Sequence, residues 1–264
     1  PLAVLMLLPI IFIFCHAFKP MTELFAFPPR FFVTNPTLDN FRGLMKASQT
    51  SGIPMSRYVF NSLVVTLSDV LLSVILSTTA GFALSKLKFR GKDALMEINN
   101  MALMFVPVAV MIPRYLVIDT LNITNNYLAH ILPLLAMPVS LFLVKQFIDQ
   151  IPDALIDAAY MDGATDFVVY RKIILPMVKP AIATAAILSF QQVWANVESS
   201  NLYMSEDGLR TLAFYMNTLA NANNTVAGQG IAAAATLIMF VPNLLMFIFC
   251  QKNVMNTMAH SGIK

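Results

Sequence analysis

Apolar residues in this chain come in long blocks rather than at the spacing of half-buried helices. Six blocks approach or exceed the length of about 20 residues that crosses a bilayer. They are 2–18, 58–84, 95–118, 127–148, 180–199 and 231–250. The pattern predicts an all-α integral membrane bundle of about six transmembrane helices, forming one domain over 1–264. Pro107, Pro113, Pro133, Pro138 and Pro242 fall inside blocks, which membrane helices accommodate when neighbours satisfy the freed carbonyls. Block 95–118 is the least uniform, since Glu97, Asn99 and Asn100 enter it early.

Composition agrees with this pattern. Hydrophobic residues make up 58% of the 264 and charged residues 12%, with a mean hydropathy of +0.70. A soluble domain carries about 25% charged residues and could not hide this much apolar surface. Disorder is excluded on the same numbers. The net charge of +3 gives no argument for a nucleic-acid partner. Cys15 and Cys250 each lie in an apolar run and read as small hydrophobes, not a disulfide framework. The chain begins at Pro1, already inside an apolar run, which reads as a missing N-terminal stretch.

Charge placement is more informative than the sum. Lys86, Lys88, Arg90 and Lys92 follow the second block; Lys145, Arg171, Lys172 and Lys179 follow the fourth; Lys252 and Lys264 follow the sixth. The remaining seven basic residues are spread over the other side. Lys and Arg in short loops mark the cytoplasmic face, so both termini are expected in the cytoplasm.

Three polar segments lie outside the blocks. Residues 19–57 are broken by Pro28-Pro29, Pro36 and Gly52, leaving room for a short helix opening at Thr37-Leu38-Asp39-Asn40-Phe41. Residues 200–230 are rich in Asn (Asn201, Asn217, Asn221, Asn223, Asn224) and read as a loop around a short helix at 209–220; Asn224-Thr225-Val226 is no glycosylation match. Residues 149–179 differ from both. Pro152-Asp153 opens a helix, with Pro suiting the first helical position and an acid the first turn. Ala154, Leu155, Ala158 and Ala159 put small and apolar side chains on one side, with Asp157 and Asp162 at the margin. Gly163 permits a left-handed turn at the helix end, and Asp166–Lys172 makes a second short helix. This is a helix–Gly–helix elbow where small residues admit a close partner and Asp157 can pair with a base on it.

The elbow resembles the EAA loop of bacterial ABC importer permeases: Glu-Ala-Ala, three residues, Gly, nine residues, Ile, one residue, Leu-Pro. Asp157, Ala158, Ala159, Gly163, Ile173, Leu175 and Pro176 match it at every spacing, with Asp157 standing where the family usually has Glu. Asp162 and Ala164 flank the Gly. Phe18-Lys19-Pro20, Glu23-Leu24, Pro28-Pro29, Leu38-Asp39-Asn40-Phe41 and the tail 258–264 are similar to the carbohydrate branch, in particular the shorter maltose-type permease. The resemblance implies a non-catalytic subunit of a type I importer in the bacterial cytoplasmic membrane. A second permease lies beside it, two ATPase subunits hold the ATP and Mg, and an extracellular solute-binding protein docks outside. The elbow becomes the coupling helix seated in an ATPase groove. The 200–230 loop sits where the maltose-type permease reaches into its binding protein.

The chain lacks GxxxxGK[ST], HExxH and GxSxG. His16, His130 and His260 are scattered, so no metal site is expected. Ser62, Thr66, Asp69, Ser73 and Ser77 form a polar stripe on the second block at helical spacing. Ser189, Gln192 and Asn196 form another on the fifth, beside Gln191, Trp194 and Glu198. Thr66, Asp69, Ser73, Gln191, Gln192, Asn196 and Glu198 are candidate lining of a translocation path. The alternative is helix–helix packing, with Trp194 as an interfacial anchor. Two other transport readings stay open: a glycerol-phosphate permease of the same family, for which only Arg114 offers a basic path residue, and a stand-alone secondary transporter, which predicts paired repeats.

Overall fold

The computed structural model describes residues 2–50, 52–222 and 228–261. Pro1, Ser51, Asn223, Asn224, Thr225, Val226, Ala227, Gly262, Ile263 and Lys264 lie outside them. Every regular element among the described residues is helical: α1 (Leu2–Phe18), α2 (Met21–Leu24), α3 (Asp39–Thr50), α4 (Met55–Lys86), α5 (Lys92–Met104), α6 (Met111–Thr120), α7 (Tyr127–Leu135), α8 (Pro138–Asp149), α9 (Asp153–Met161), α10 (Asp166–Val169), α11 (Leu175–Met177), α12 (Lys179–Trp194), α13 (Glu198–Tyr203), α14 (Leu212–Ala222) and α15 (Gln229–Ser261). Contacts gather into two compact units. One holds Pro1–Val64, Asn125–Tyr127 and Trp194–Leu244; the other holds Val65–Thr124, Leu128–Val193 and Leu245–Lys264.

In the first unit, polar side chains tie irregular backbone to helix ends. The last carbonyls of a helix have no partner within it. Asn40 supplies one at α1, donating from Nδ2 to Ala17 O at 3.0 Å and Lys19 O at 2.9 Å. This closeness requires Gly230, where a Cβ would come within 2.5 Å of Asn40 Oδ1. The Glu23 carboxylate accepts the backbone N–H groups of Thr34 and Asn35 at 3.0 and 2.8 Å. The bond from Thr34, with that from Asn35, holds the carboxyl below its usual range. Lys19 is buried and donates to the Arg30 carbonyl. Segment 19–36 therefore has no long helix, as expected, but is well tied. The helix expected near Asp39 runs for twelve residues, with Asp39 as its first helical residue.

In the second unit, Phe82, Val144, Ile148, Ile156, Val169, Ile174, Val178 and Ala181 form the core. Gly81 brings α4 against α8; a Cβ there would meet Val144 Cγ1 at 3.2 Å. The face of α4 carrying Leu67, Leu71 and Ile75 is exposed, an apolar stripe at helical spacing suited to lipid.

The six blocks are not six straight spans. Met55–Lys86 and Gln229–Gln251 are long and apolar enough alone. Three bent pairs add 92–120, 127–149 and 166–194, with bends of 110°, 45° and 79°. Leu5–Phe18 is a shorter apolar helix. Block 95–118 is broken because Pro107 disfavours helical geometry in the residue before it: Val106 is extended at φ −76°, ψ 126°. Met137 is extended in the same way before Pro138. Pro107 and Pro138 thus start helices, where the missing N–H costs nothing, whereas Pro133 and Pro242 sit inside theirs. Block 180–199 ends early, since α12 stops at Trp194.

Candidate functional site

The elbow is a short helix, a glycine turn and a second helix. α9 begins at Asp153, so Pro152 sits one position before the helix rather than at its first residue. Ile156 is 5% exposed and Ala159 packs on the same core. That i, i+3 pair is the inward side, and Ala154, Leu155, Asp157, Ala158, Tyr160, Met161 and Asp162 are exposed.

The helix ends in a Schellman motif. Ala164 N–H donates to Ala159 O at 2.9 Å, Gly163 N–H donates to Tyr160 O at 3.0 Å, and Gly163 has φ +82°. This is the left-handed turn expected from the sequence. Ala159 and Ala164 meet the core together, the apolar contact that accompanies this motif.

Beyond the turn, the chain continues from Asp166 to Met177 without stopping at Lys172. Tyr170–Ile174 forms a π turn, with Leu175 N–H donating to Tyr170 O. The wider turn precedes Pro176, which has no N–H for a regular helical bond. The Leu-Pro of the motif thus follows a local change of helix type. Ile173 and Leu175 are half-buried, while Ile174, outside the motif, is fully buried.

Lys86, the last residue of α4, donates to Ile151 O at 2.6 Å and pairs with Asp153 Oδ1 at 2.7 Å. That bond, with the charges of Lys86, Lys88 and Lys92, holds the Asp153 carboxyl below its usual range. Tyr160 donates to Asp166 at 2.8 Å; desolvation, then this bond and the charges of Asp166 and Asp157, push the phenol up. A polar cavity of about 500 Å³ is lined by Lys86, Lys88, Lys92, Asp153, Asp157 and Tyr160.

Sequence reasoning missed three residues here: Lys86, Met161 and Phe167. Met161 is 88% exposed and Phe167 65%. Large apolar side chains left in water on a polar segment mark an interaction surface. Their signal in the sequence was only two apolar residues flanking the glycine turn.

The polar stripe of α4 is real and faces inward. Ser62, Thr66, Asp69, Ser73 and Ser77 are all buried. In the second unit, Ser189 Oγ donates to Asp69 Oδ2 at 3.1 Å and shares a 2.9 Å bond with Ser73 Oγ. This is hydroxyl-mediated packing of α4 on α12. The second stripe does not form one face. Ser189 is buried and Gln191 and Gln192 are exposed. Asn196 lies past the helix end, where its Oδ1 accepts Ser199 N–H at 2.9 Å, and Glu198 opens α13 half-exposed. Trp194 is buried and donates to Met239 O at 3.1 Å, a packing role rather than an interfacial anchor.

At the 200–230 segment, in the first unit, Asn61 is fully buried. It donates to Gly208 O at 2.9 Å and Arg210 O at 2.8 Å and accepts Tyr127 OH at 2.7 Å. Asn125 Oδ1 accepts Ser205 N–H at 2.6 Å, and Ser62 Oγ accepts Leu212 N–H at 2.8 Å. The helix expected at 209–220 is α14, Leu212–Ala222.

With this geometry, the likeness to known proteins is specific. Residues 73–252 match the family described as "binding-protein-dependent transport system inner membrane component". The chain belongs to that family. The probable ABC transporter permease protein YurM of Bacillus subtilis is 30% identical over 80% of this chain and 70% of its own length. The arabinooligosaccharides transport system permease protein AraQ of Halalkalibacterium halodurans is 28% identical over 100% of this chain and 93% of its own. Among solved structures, a chain of a bacterial ABC transporter involved in import of the acidic polysaccharide alginate superposes with a TM-score of 0.82. It is 20% identical and covers 95% of this chain and 91% of its own, a likeness of fold. This protein is a multi-pass inner-membrane permease of the ABC importer class, and the 149–179 elbow lies inside the family match.

Proposed function

We propose that this chain is the permease subunit of an ATP-driven importer that carries a sugar or oligosaccharide from an external binding protein into the cytoplasm. The observation that carries this reading is the elbow. Asp157, Ala158, Leu155 and Met161 are exposed on a short helix whose Schellman turn fixes its direction. That is an apolar and acidic knob fitted for a groove on another protein. The oligosaccharide transport named for AraQ supports the substrate class.

The elbow is the coupling contact to a separate ATPase, two copies of which hold ATP and Mg. A second permease completes the pathway, a solute-binding protein docks on the outer segment, and both termini face the cytoplasm. The whole of 1–264 acts as one permease domain. Gln191 and Gln192, exposed on α12, and Glu198 are the path residues favoured by geometry, since amides and carboxylates suit sugar hydroxyls. Thr66, Asp69 and Ser73 support the path wall from within the packing, and Asn196 shapes the turn after α12.

The test is uptake of labelled oligosaccharides by the complex in proteoliposomes, with its binding protein outside and ATP inside. Uptake should require both. Uptake that persists without ATP would remove this reading in favour of a secondary transporter.

A further inference from the structure

The elbow needs something to hold it at a fixed place beneath the membrane helices. Lys86 meets that need from a distant part of the sequence. Its side chain is only 8% exposed, and its ammonium makes the 2.6 Å bond to Ile151 O and the 2.7 Å pair with Asp153. A buried charge is costly unless it is paired and hydrogen-bonded.

The simplest role for a lysine closing a helix is to satisfy that helix's own last carbonyls. Here Lys92 does so, donating to Ser85 O at 2.9 Å and Leu87 O at 3.4 Å. Lys86 instead reaches across to the joint between α8 and α9. Its neighbour Ser85 does likewise, donating to Asp149 Oδ1 at 2.5 Å. Asp149, Ile151 and Asp153 are alternate residues around Pro152. The joint contains a proline with no N–H and the buried Ile151, and Ile156 is buried just beyond it in α9. The end of α4 thus fixes the backbone on both sides of the hinge that presents α9. Because α4 is one helix of 32 residues, a push on the elbow has a route into that helix besides the flanking segments.

We infer that Lys86 is a positioning residue for coupling: with Ser85 it locks the α8–α9 joint, so that movement of the elbow is transmitted into α4. This rests on reading the elbow as the ATPase contact.

Two measurements on Lys86→Met, Lys86→Arg and Asp153→Asn test it, with the chain assembled with its ATPase in nanodiscs. The first is amide hydrogen exchange over Asp153–Met161. The second is stimulation of ATP hydrolysis by sugar-loaded binding protein. Lys86→Met should speed exchange in the elbow and reduce stimulation by about fivefold or more, the scale of an ordinary coupling energy, with subunits still co-eluting. Lys86→Arg should retain most of both. Asp153→Asn, at a position 78% exposed, should give a smaller loss and decides the matter should Lys86→Met fail to assemble. Unchanged elbow exchange in Lys86→Met, or in Asp153→Asn if that variant alone assembles, would overturn the lock. Faster exchange with full stimulation would overturn its part in coupling. A wild-type complex without stimulated hydrolysis would instead refute the importer reading, leaving the lock to be judged by exchange alone.

Discussion

The loop at 204–211 and the elbow at 153–177 are both short polar segments, yet they are held in different ways. The loop hangs mainly on neutral side chains, Asn61 on Gly208 O and Arg210 O, Asn125 on Ser205 N–H and Ser62 on Leu212 N–H, with Arg57 also on Gly208 O and Arg210 paired to Asp207. All but that pair run from side chain to backbone, so they specify one loop shape. The elbow rests on a small apolar foot, Ile156 with Ala159 and Ala164, and on an ion pair whose acid is 78% exposed. Buried neutral bonds of this kind are costly to leave unmade, whereas the pair of Lys86, 8% exposed, with Asp153, 78% exposed, is open to solvent and screening on its acid side. The 204–211 loop is thus restrained mostly from a helix flank, and the elbow from a foot and one lysine, which is the difference the proposed coupling role would use.

The largest effect is expected at the glycine turn. Gly163→Pro places a residue fixed near φ −65° where the chain has φ +82°, and removes the N–H bonded to Tyr160 O. Stimulated ATP hydrolysis and uptake should fall to background while membrane insertion, scored by protease protection, is intact. Normal uptake would mean that the elbow's direction is irrelevant to coupling. Next comes Asn61→Leu, which strips Arg210 O and the Tyr127 hydroxyl of the Asn61 bond and leaves Gly208 O with Arg57 Nε alone. Each group so orphaned costs roughly 1–3 kcal/mol. Limited proteolysis should open the loop near Gly208, with elbow exchange as in wild type. If the elbow loosens equally, the two segments are not held independently.

Legibility from sequence followed the same division. The elbow could be read because its restraints are local: a glycine separated by three residues from an Asp-Ala-Ala run and a Leu-Pro at fixed spacing encode a Schellman turn and a helix that changes type before proline. The spans were legible as apolar blocks, but not their breaks, because Val106 and Met137 become extended only through the proline that follows each. The polar stripe of α4 was correctly placed on one face. Periodicity says which residues share a face and not what that face meets, so Asp69 read equally well as path lining or packing. Extending the α12 stripe to Asn196 failed because the helix stops at Trp194, whose indole is taken up by Met239 O. Lys86 counted only as one of four positives marking the cytoplasmic side. Its bond to Ile151 O joins positions too far apart in sequence for any spacing rule to reveal.

The smallest expected effect, and the most discriminating, is the response to salt and pH. Lys86, followed by Lys88 and Lys92, holds the Asp153 carboxyl below its usual range. A depressed carboxylate pKa contributes order that is fully present above the unfolded value, about 3.9. That order is lost only as pH falls through the lower folded value. Elbow exchange, corrected for intrinsic rates, should therefore stay flat from neutral pH down to about 5, well above either value. Salt acts differently, since it screens an exposed pair at any pH. Raising ionic strength should speed elbow exchange by no more than about twofold, as for other exposed pairs. The loop at 204–211 should respond less, because Asn61, Asn125 and Ser62 carry no charge and only the Arg57 bond to Gly208 O and the Arg210–Asp207 pair are open to screening. An elbow that loosens between neutral pH and 5 would place its hold on some group other than Asp153. A salt response of equal size at both segments would erase the distinction between the two kinds of restraint.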